Sequence, residues 1–124
     1  MPLLAAATQG LKVGDPRDHA TDVGPMISEK EAKRAEAWVA EAVAAGARLV
    51  AGGKYEGHYL EATVLADVTP DMTIAKEEIF GPVMSILKFK TVDEVIRRAN
   101  NSVYGLGAGV VTKSLDNAIK ISNG

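Results

Sequence analysis

Residues 83–112 read VMSILKFKTVDEVIRRANNSVYGLGAGVVT, and this stretch decides the predicted fold. Its first part, residues 83–89, is rich in β-formers and predicts a strand. Thr91 and Glu94 then form a capping box, in which each side chain can satisfy an orphan backbone N–H. We therefore expect a helix from residue 92 to about residue 99, directly after the strand.

A second strand and a second helix are predicted to follow. The small and β-branched residues 107–112 have the composition of a strand buried on both faces of a parallel sheet. Ser114 caps a last helix, whose apolar positions are Leu115, Ala118, Ile119 and Ile121. The order strand, helix, strand, helix favours a parallel, right-handed β-α-β unit.

The preceding part of the chain predicts one long amphipathic helix and two strands. Ser28 opens a capping box, and a helix is expected over about residues 29–45, ended by Gly46 in a left-handed conformation. Its apolar face is predicted to hold Ala32, Ala35, Trp38, Val39, Ala42 and Val43. Residues 48–51 and 59–68 predict strands on either side of a glycine turn.

Together these elements indicate the α/β class, with a small parallel-type sheet flanked by helices. Residues 1–27 are rich in Gly, Pro, Asp and Thr and show no sustained period, so we expect an irregular N-terminal arm there. Residues 28–124 are expected to form the folded part. A chain of 124 residues fits one modest domain.

The composition excludes several classes of partner and site. A net charge of −2 argues against a nucleic-acid partner, and no apolar run reaches the length of a membrane span. The N-terminal sequence lacks the features of a secretory signal, so we expect a cytoplasmic location. Cysteine is absent, which excludes disulfides, thiolate metal sites and a cysteine nucleophile within these residues.

Two groups of residues resemble ligand-binding motifs only superficially. Asp15, Asp18, His19 and Asp22 do not match the ligand spacing of a calcium loop, so we interpret them as solvated surface and predict no metal site. The stretch YGLGAG at residues 104–109 lacks the spacing and the lysine of a phosphate loop. It is predicted to serve packing instead.

The segment KEEIFGPV, residues 76–83, is the most informative in the chain. Taken alone, Glu77 and Glu78 are most simply solvated surface, because successive side chains diverge and cannot act as an acid/base pair. Phe80, in a Gly-Pro loop, could equally be a plug in the core.

This segment resembles the NAD(P)-dependent aldehyde dehydrogenase superfamily. The similarity continues through SILKFKTVDEVIRRANNSVYGLGAGVVTKSLDNA, which begins at residue 85, and includes the earlier run LKVGDPRDHATDVGPMIS from residue 11. It spans residues 11–124 in unbroken order. The resemblance implies that the chain corresponds to the later part of the family's catalytic domain.

The resemblance also implies roles for the exposed motif. Glu78 corresponds to the residue that accepts hydrogen bonds from the hydroxyls of the nicotinamide ribose, and Phe80 to the aromatic beside the nicotinamide ring. Gly81 and Pro82 set the turn that aims both, and Glu77 is the structural partner. The implied cofactor is NAD or NADP, and two contacts predict weak or absent binding by this chain alone.

In the family, a cysteine thiolate attacks the aldehyde, hydride passes to the cofactor, and a glutamate activates water. Both groups lie on the N-terminal side of the matched region, as does the dinucleotide-binding domain. The resemblance therefore implies no catalytic residue here, and a fragment that is inactive alone. Two alternatives remain: a non-catalytic self-association module, or one chain of a split enzyme. Under each, uncovered apolar faces predict a homo-oligomer or a complementing aldehyde dehydrogenase chain.

Overall fold

A computed structural model describes all 124 residues, which divide into two compact units, Met1–Leu87 and Lys88–Gly124. None of its helices is both long and apolar enough to cross a membrane. The first unit contains α1 (Pro2–Gln9), α2 (Glu29–Ala44), β1 (Arg48–Ala51), β2 (Tyr55–Glu56), β3 (Tyr59–Leu60), β4 (Thr63–Ala66), α3 (Thr73–Lys76) and β5 (Val83–Ser85). The second contains α4 (Val92–Asn100) and α5 (Leu115–Asn123).

The predicted class, α/β with a small sheet flanked by helices, is confirmed. The main sheet has the strand order β1-β4-β5, and β2 and β3 form a separate antiparallel hairpin. β4 pairs antiparallel with β1 and parallel with β5, where Thr63 lies opposite Val83. The sheet is therefore mixed, and only its β4–β5 half is parallel.

β4 lies at the centre of the first unit, and all four of its residues are buried. Because successive side chains of a strand point to opposite faces, this burial requires cover on both faces of the sheet. Leu65 packs in a cluster with Val39 and Ala42 of α2 and with Ile74 of α3. Helix α1 also contacts β1 and β4.

Helix α2 forms as its sequence predicts. The Ser28 hydroxyl accepts a hydrogen bond from the Glu31 N–H at 3.2 Å, which satisfies one orphan donor of the first turn. The buried positions Ala32, Ala35, Val39 and Ala42 make one stripe, while Val43 stays exposed. Gly46, at φ 104°, follows the helix end in the left-handed conformation that glycine adopts without strain.

The second unit consists of α4, α5 and their connection. The predicted Thr91 cap is present, since its hydroxyl accepts from the Glu94 N–H at 3.1 Å. The Glu94 carboxylate reaches back as well, and accepts from the N–H of Lys90, one residue before the N-cap, at 2.7 Å. An ion pair of 2.6 Å between Lys120 and Asp93 joins the two helices.

The strand predicted at residues 107–112 is wrong. These residues form no strand and are all exposed, and so are the other members of the YGLGAG stretch, for which the sequence predicts packing. The β-α-β unit is therefore not completed within this chain. The physical reason is that a strand needs a hydrogen-bonded neighbour, and composition alone does not supply one.

The two longer predicted strands are shorter in the structure. The strand expected over residues 59–68 is divided into β3 and β4, and that expected over 83–89 is only β5. Asp67, at φ 58°, turns the chain after β4, so β5 loses its partner soon after Ser85.

The irregular arm predicted for residues 1–27 is wrong over Pro2–Gln9, which is helix α1. Proline is favoured in the first turn of a helix, and the three consecutive alanines that follow have high helix propensity. The Thr8 hydroxyl also donates to the Leu4 carbonyl at 2.9 Å. Local propensity therefore prevails over the loop-like composition of the wider segment, and the resulting helix packs on the sheet.

Candidate functional site

The loop Glu77–Pro82, named here the presenting loop, connects α3 to β5. At its start, the Glu77 N–H donates to the Thr73 carbonyl at 2.9 Å. At its end, the Pro82 carbonyl accepts from the Thr63 N–H at 2.8 Å, which ties the loop to the central strand. Both ends are thus held by backbone hydrogen bonds.

The middle of the presenting loop is held from inside by Ile79. Its half-buried side chain packs against both apolar clusters of the first unit. Its carbonyl accepts a hydrogen bond of 3.1 Å from the guanidinium of Arg34 on α2. Ile79 is thus the inward-facing residue of the loop, and the residues on either side of it are exposed.

Glu78 and Phe80 are these neighbours, and both are exposed. Phe80 is 77% exposed, which excludes the core plug that the sequence left open. Phe80 also has φ 48°, in the left-handed region that is unfavourable for a residue with a bulky side chain. Backbone strain combined with an exposed aromatic is typical of residues placed for contact with another molecule.

The turn that follows is closely packed. A Cβ atom at Gly81 would lie 3.1 Å from Cε of the buried Met26, so a side chain there would require this methyl group to shift by a few tenths of an ångström. Met26 is fixed in turn, because its N–H donates to the His58 carbonyl at 2.7 Å. The position of the turn is therefore set by the core below it.

This arrangement suits binding rather than proton transfer. A carboxylate such as that of Glu78 can accept hydrogen bonds through two oxygens, and Phe80 is largely uncovered. Glu77 is also exposed, beside Glu78 in sequence. A ligand with vicinal hydroxyls next to a flat ring would match this pair of side chains.

The acidic cluster near the N-terminus is occupied by ion pairs. Lys12 contacts Asp18 at 2.8 Å, and Arg17 contacts Asp15 at 2.6 Å. The Arg17 guanidinium lowers the pKa of Asp15, and the Lys12 ammonium lowers the pKa of Asp18. No group of three or more histidine, aspartate or glutamate side chains is arranged to hold a metal ion.

The sequence analysis gave no role to Arg34, which is outside the predicted apolar face of α2. In the structure this arginine is partly covered, with its guanidinium 4.3 Å from the ring centroid of Trp38. The i, i+4 spacing of an arginine and a tryptophan was the available signal, because residues four apart share one helix face.

Comparisons with known proteins agree on one family. The profile of the aldehyde dehydrogenase family matches residues 1–124, which includes the N-terminal residues outside the similarity noted from the sequence. Betaine aldehyde dehydrogenase of Rhizobium leguminosarum bv. trifolii is 50% identical over 124 residues, covering 95% of this chain and 26% of the relative. The chain thus spans about a quarter of the length of that relative.

Solved structures give the same answer. Succinate-semialdehyde dehydrogenase of Burkholderia pseudomallei is 38% identical with a TM-score of 0.93, over 98% of this chain and 26% of that one. Mycobacterium tuberculosis aldehyde dehydrogenase, solved in complex with NAD+, is 43% identical with a TM-score of 0.89, over 98% of this chain and 26% of that one. This chain belongs to the aldehyde dehydrogenase family.

Proposed function

We propose that this chain is the cofactor-facing part of the catalytic domain of an NAD(P)-dependent aldehyde dehydrogenase. In this proposal, Glu78 accepts hydrogen bonds from the nicotinamide ribose and Phe80 packs beside the nicotinamide ring. The observation that carries it is the outward pairing of these two side chains on a loop whose backbone is fixed on its inner side. The bound cofactor would supply the hydride acceptor.

The residues fit this cofactor chemically. Two carboxylate oxygens on Glu78 match two neighbouring hydroxyls, and hydrogen bonds to a charged acceptor are stronger than neutral ones. The exposed ring of Phe80 can cover one side of a planar heterocycle. The complex of the M. tuberculosis relative with NAD+ supports the choice of a nicotinamide cofactor.

We propose that the reaction of the whole enzyme is oxidation of an aldehyde to a carboxylic acid, and that these 124 residues do not perform it alone. The family's nucleophile is a cysteine thiolate, and the chain contains no cysteine. We expect an assay of NAD reduction with a panel of aldehydes to show no turnover above the uncatalysed rate. Turnover by the purified chain would contradict this part of the proposal.

Cofactor binding by the chain alone should be weak. Two contacts cannot offset the entropy lost on ordering a flexible dinucleotide, so we expect a Kd of about 1 mM or weaker. A nuclear magnetic resonance titration with NAD detects binding in this range. The amide signals of Phe80 and Gly81 should move in proportion to the NAD concentration.

Paired substitutions test the assigned roles. Glu78→Gln removes the charge that accepts the ribose hydroxyls and should weaken the response about 10- to 100-fold, which abolishes it in practice. Glu77→Gln removes the same charge one residue earlier and is the matched control, with an unchanged response expected. Equal effects of the two substitutions on the NAD response would refute the assignment of Glu78.

Exposed apolar residues of the second unit support a further proposal, that the isolated chain forms a homo-oligomer. Val103, Leu106 and Val111 are each at least 94% exposed, and large exposed apolar groups favour association. Light scattering should find more than one copy, and Leu106→Ser with Val111→Ser should shift the chain toward monomer. Ile27→Ser is the matched control, since Ile27 is 92% exposed but lies in the first unit.

Light scattering and a binding test together separate self-association from complementation by a second chain. A monodisperse monomer at micromolar concentration would refute self-association. If that monomer binds the remaining polypeptide of a relative, the partner is a complementing aldehyde dehydrogenase chain, as in a split enzyme. The cytoplasmic location expected from the sequence stays a prediction.

A further inference from the structure

We propose that Arg34 of α2 is the positioning residue of the presenting loop. By holding the Ile79 carbonyl, it keeps Glu78 and Phe80 turned outward in the arrangement that meets the cofactor. This inference rests on the proposed function, because the cofactor defines what the loop is positioned for. Arg34 lies far from the loop in sequence and reaches it only through the fold.

The guanidinium of Arg34 makes three contacts at once. Its Nε donates to the Glu31 carboxylate at 2.6 Å, and a terminal nitrogen donates to the Ile79 carbonyl at 3.1 Å. Its flat face covers the Trp38 ring, with 4.3 Å between the guanidinium carbon and the ring centroid. Glu31 and Trp38 are themselves on α2, so the guanidinium is oriented by its own helix before it reaches the loop.

An arginine is needed for this geometry. Its planar group carries donors in fixed directions, so one edge can bind a carboxylate while another donates to a carbonyl. Lysine is a compact charge on a flexible stem, and it has no planar group that can donate to two oxygens at its edges while stacking on Trp38. The side chains of Arg34 and Glu31 are 29% and 30% exposed, which leaves the pair only partly accessible to competing water.

The Ile79 carbonyl is the point from which the conformation of Phe80 is controlled. The Ile79 oxygen and the Phe80 nitrogen belong to one planar peptide group. Rotation of this plane changes φ of Phe80, which stands at the unfavourable value of 48°. A donor that holds the oxygen therefore restricts φ of Phe80, and with it the direction of the Cα–Cβ bond that carries the ring.

The test compares Arg34→Met with Lys33→Met in the full chain. Arg34→Met keeps an apolar stem but removes every donor. Lys33→Met also removes a positive charge from α2, but the 2.7 Å ion pair of Lys33 is with Glu29, on the same helix, rather than with the loop. Arg34→Lys tests whether charge alone suffices, and it carries the test if Arg34→Met does not fold.

The first readout is the conformation of Phe80, measured without any ligand. Positive φ gives a strong Overhauser effect between the amide and α protons of the same residue. In Arg34→Met we expect this signal to weaken and the amide order parameter of Phe80 to fall from about 0.85 to below about 0.6. Arg34→Lys should resemble it, and Lys33→Met should not. An unchanged Phe80 in Arg34→Met would overturn the inference.

The second readout is the response to NAD, which separates positioning from general stability. In Arg34→Met the NAD-induced shifts should disappear, and adding Glu78→Gln should cause no further change. If Glu78→Gln keeps its full effect in the Arg34→Met background, Arg34 does not position Glu78 and the inference is wrong. If Glu78→Gln has no effect in the unsubstituted chain, the proposed function fails, while a disordered Phe80 in Arg34→Met would still show that Arg34 holds the loop.

Discussion

Replacement of Phe80 by glycine and by alanine should reverse the usual order of stability of these two residues. Alanine normally stabilises a folded chain relative to glycine, because glycine loses more backbone freedom on folding. At Phe80, however, φ is 48°, where a Cβ atom is unfavourable and glycine is not strained. We expect Phe80→Gly to be more stable than Phe80→Ala.

The magnitude follows from the exposure of the ring. Since Phe80 is 77% exposed, only about a quarter of its surface is buried, which at about 25 cal/mol/Å² is worth about 1 kcal/mol. Both substitutions lose this contribution. Glycine regains about 1–2 kcal/mol by removing Cβ strain and loses about 0.5–1 kcal/mol of backbone entropy. Phe80→Gly should therefore be near neutral, and Phe80→Ala should cost about 1 kcal/mol.

Urea unfolding followed by fluorescence of Trp38, the only tryptophan, measures both free energies of unfolding. NAD titration of the same variants should give a weaker response in each, because neither carries an aromatic ring to pack beside the nicotinamide. A buried phenylalanine would cost about 3–5 kcal/mol on truncation. A loss of that size, or a glycine variant less stable than the alanine variant, would refute the conclusion that the Phe80 backbone is strained and its ring faces outward.

Two further substitutions test the core and the pH dependence. Thr63 is 2% exposed, and its hydroxyl accepts a hydrogen bond from the Gly53 N–H at 2.9 Å. Thr63→Val should therefore lower the free energy of unfolding, measured in urea, by about 1–3 kcal/mol. An equally stable valine variant would show that this hydrogen bond is dispensable. The Lys90 N–H and the Arg98 guanidinium lower the pKa of Glu94 below its ordinary 4.5. Because the native state binds this proton less readily than the unfolded state, Glu94 stabilises α4 above pH 4.5 and stops doing so as the pH falls through its lowered pKa. Circular dichroism should show loss of helix as the pH falls below 4.5, and the Glu94→Gln variant should not show this loss.

Elements with a local cause could be predicted from the sequence. Helices α2 and α4 begin where a hydroxyl and a carboxylate three residues apart can cap the first turn, and in both the hydroxyl accepts the expected backbone hydrogen bond. The left-handed Gly46 after α2 was predicted on the same local basis. Such signals depend only on neighbours along the chain, so they hold whatever the tertiary context.

Elements that depend on distant partners could be predicted only in part: β1 forms over the predicted residues 48–51, but the other predicted strands are shortened or absent. The composition of residues 107–112 favours a strand, but strand formation requires a paired neighbour that no local pattern supplies. The same distinction between local and distant causes applies to the candidate site. The exposure of Phe80 and the bond from Arg34 to Ile79 are set by tertiary packing, and the sequence left Phe80 open between core and surface.

The presenting loop is attached to the fold through backbone atoms. The Glu77 N–H and the carbonyls of Ile79 and Pro82 make the holding bonds, and these bonds involve no side-chain atom of residue 78 or residue 80. Natural variation or a combinatorial library could therefore exchange these two residues to suit a different dinucleotide, while the same chain trace is kept.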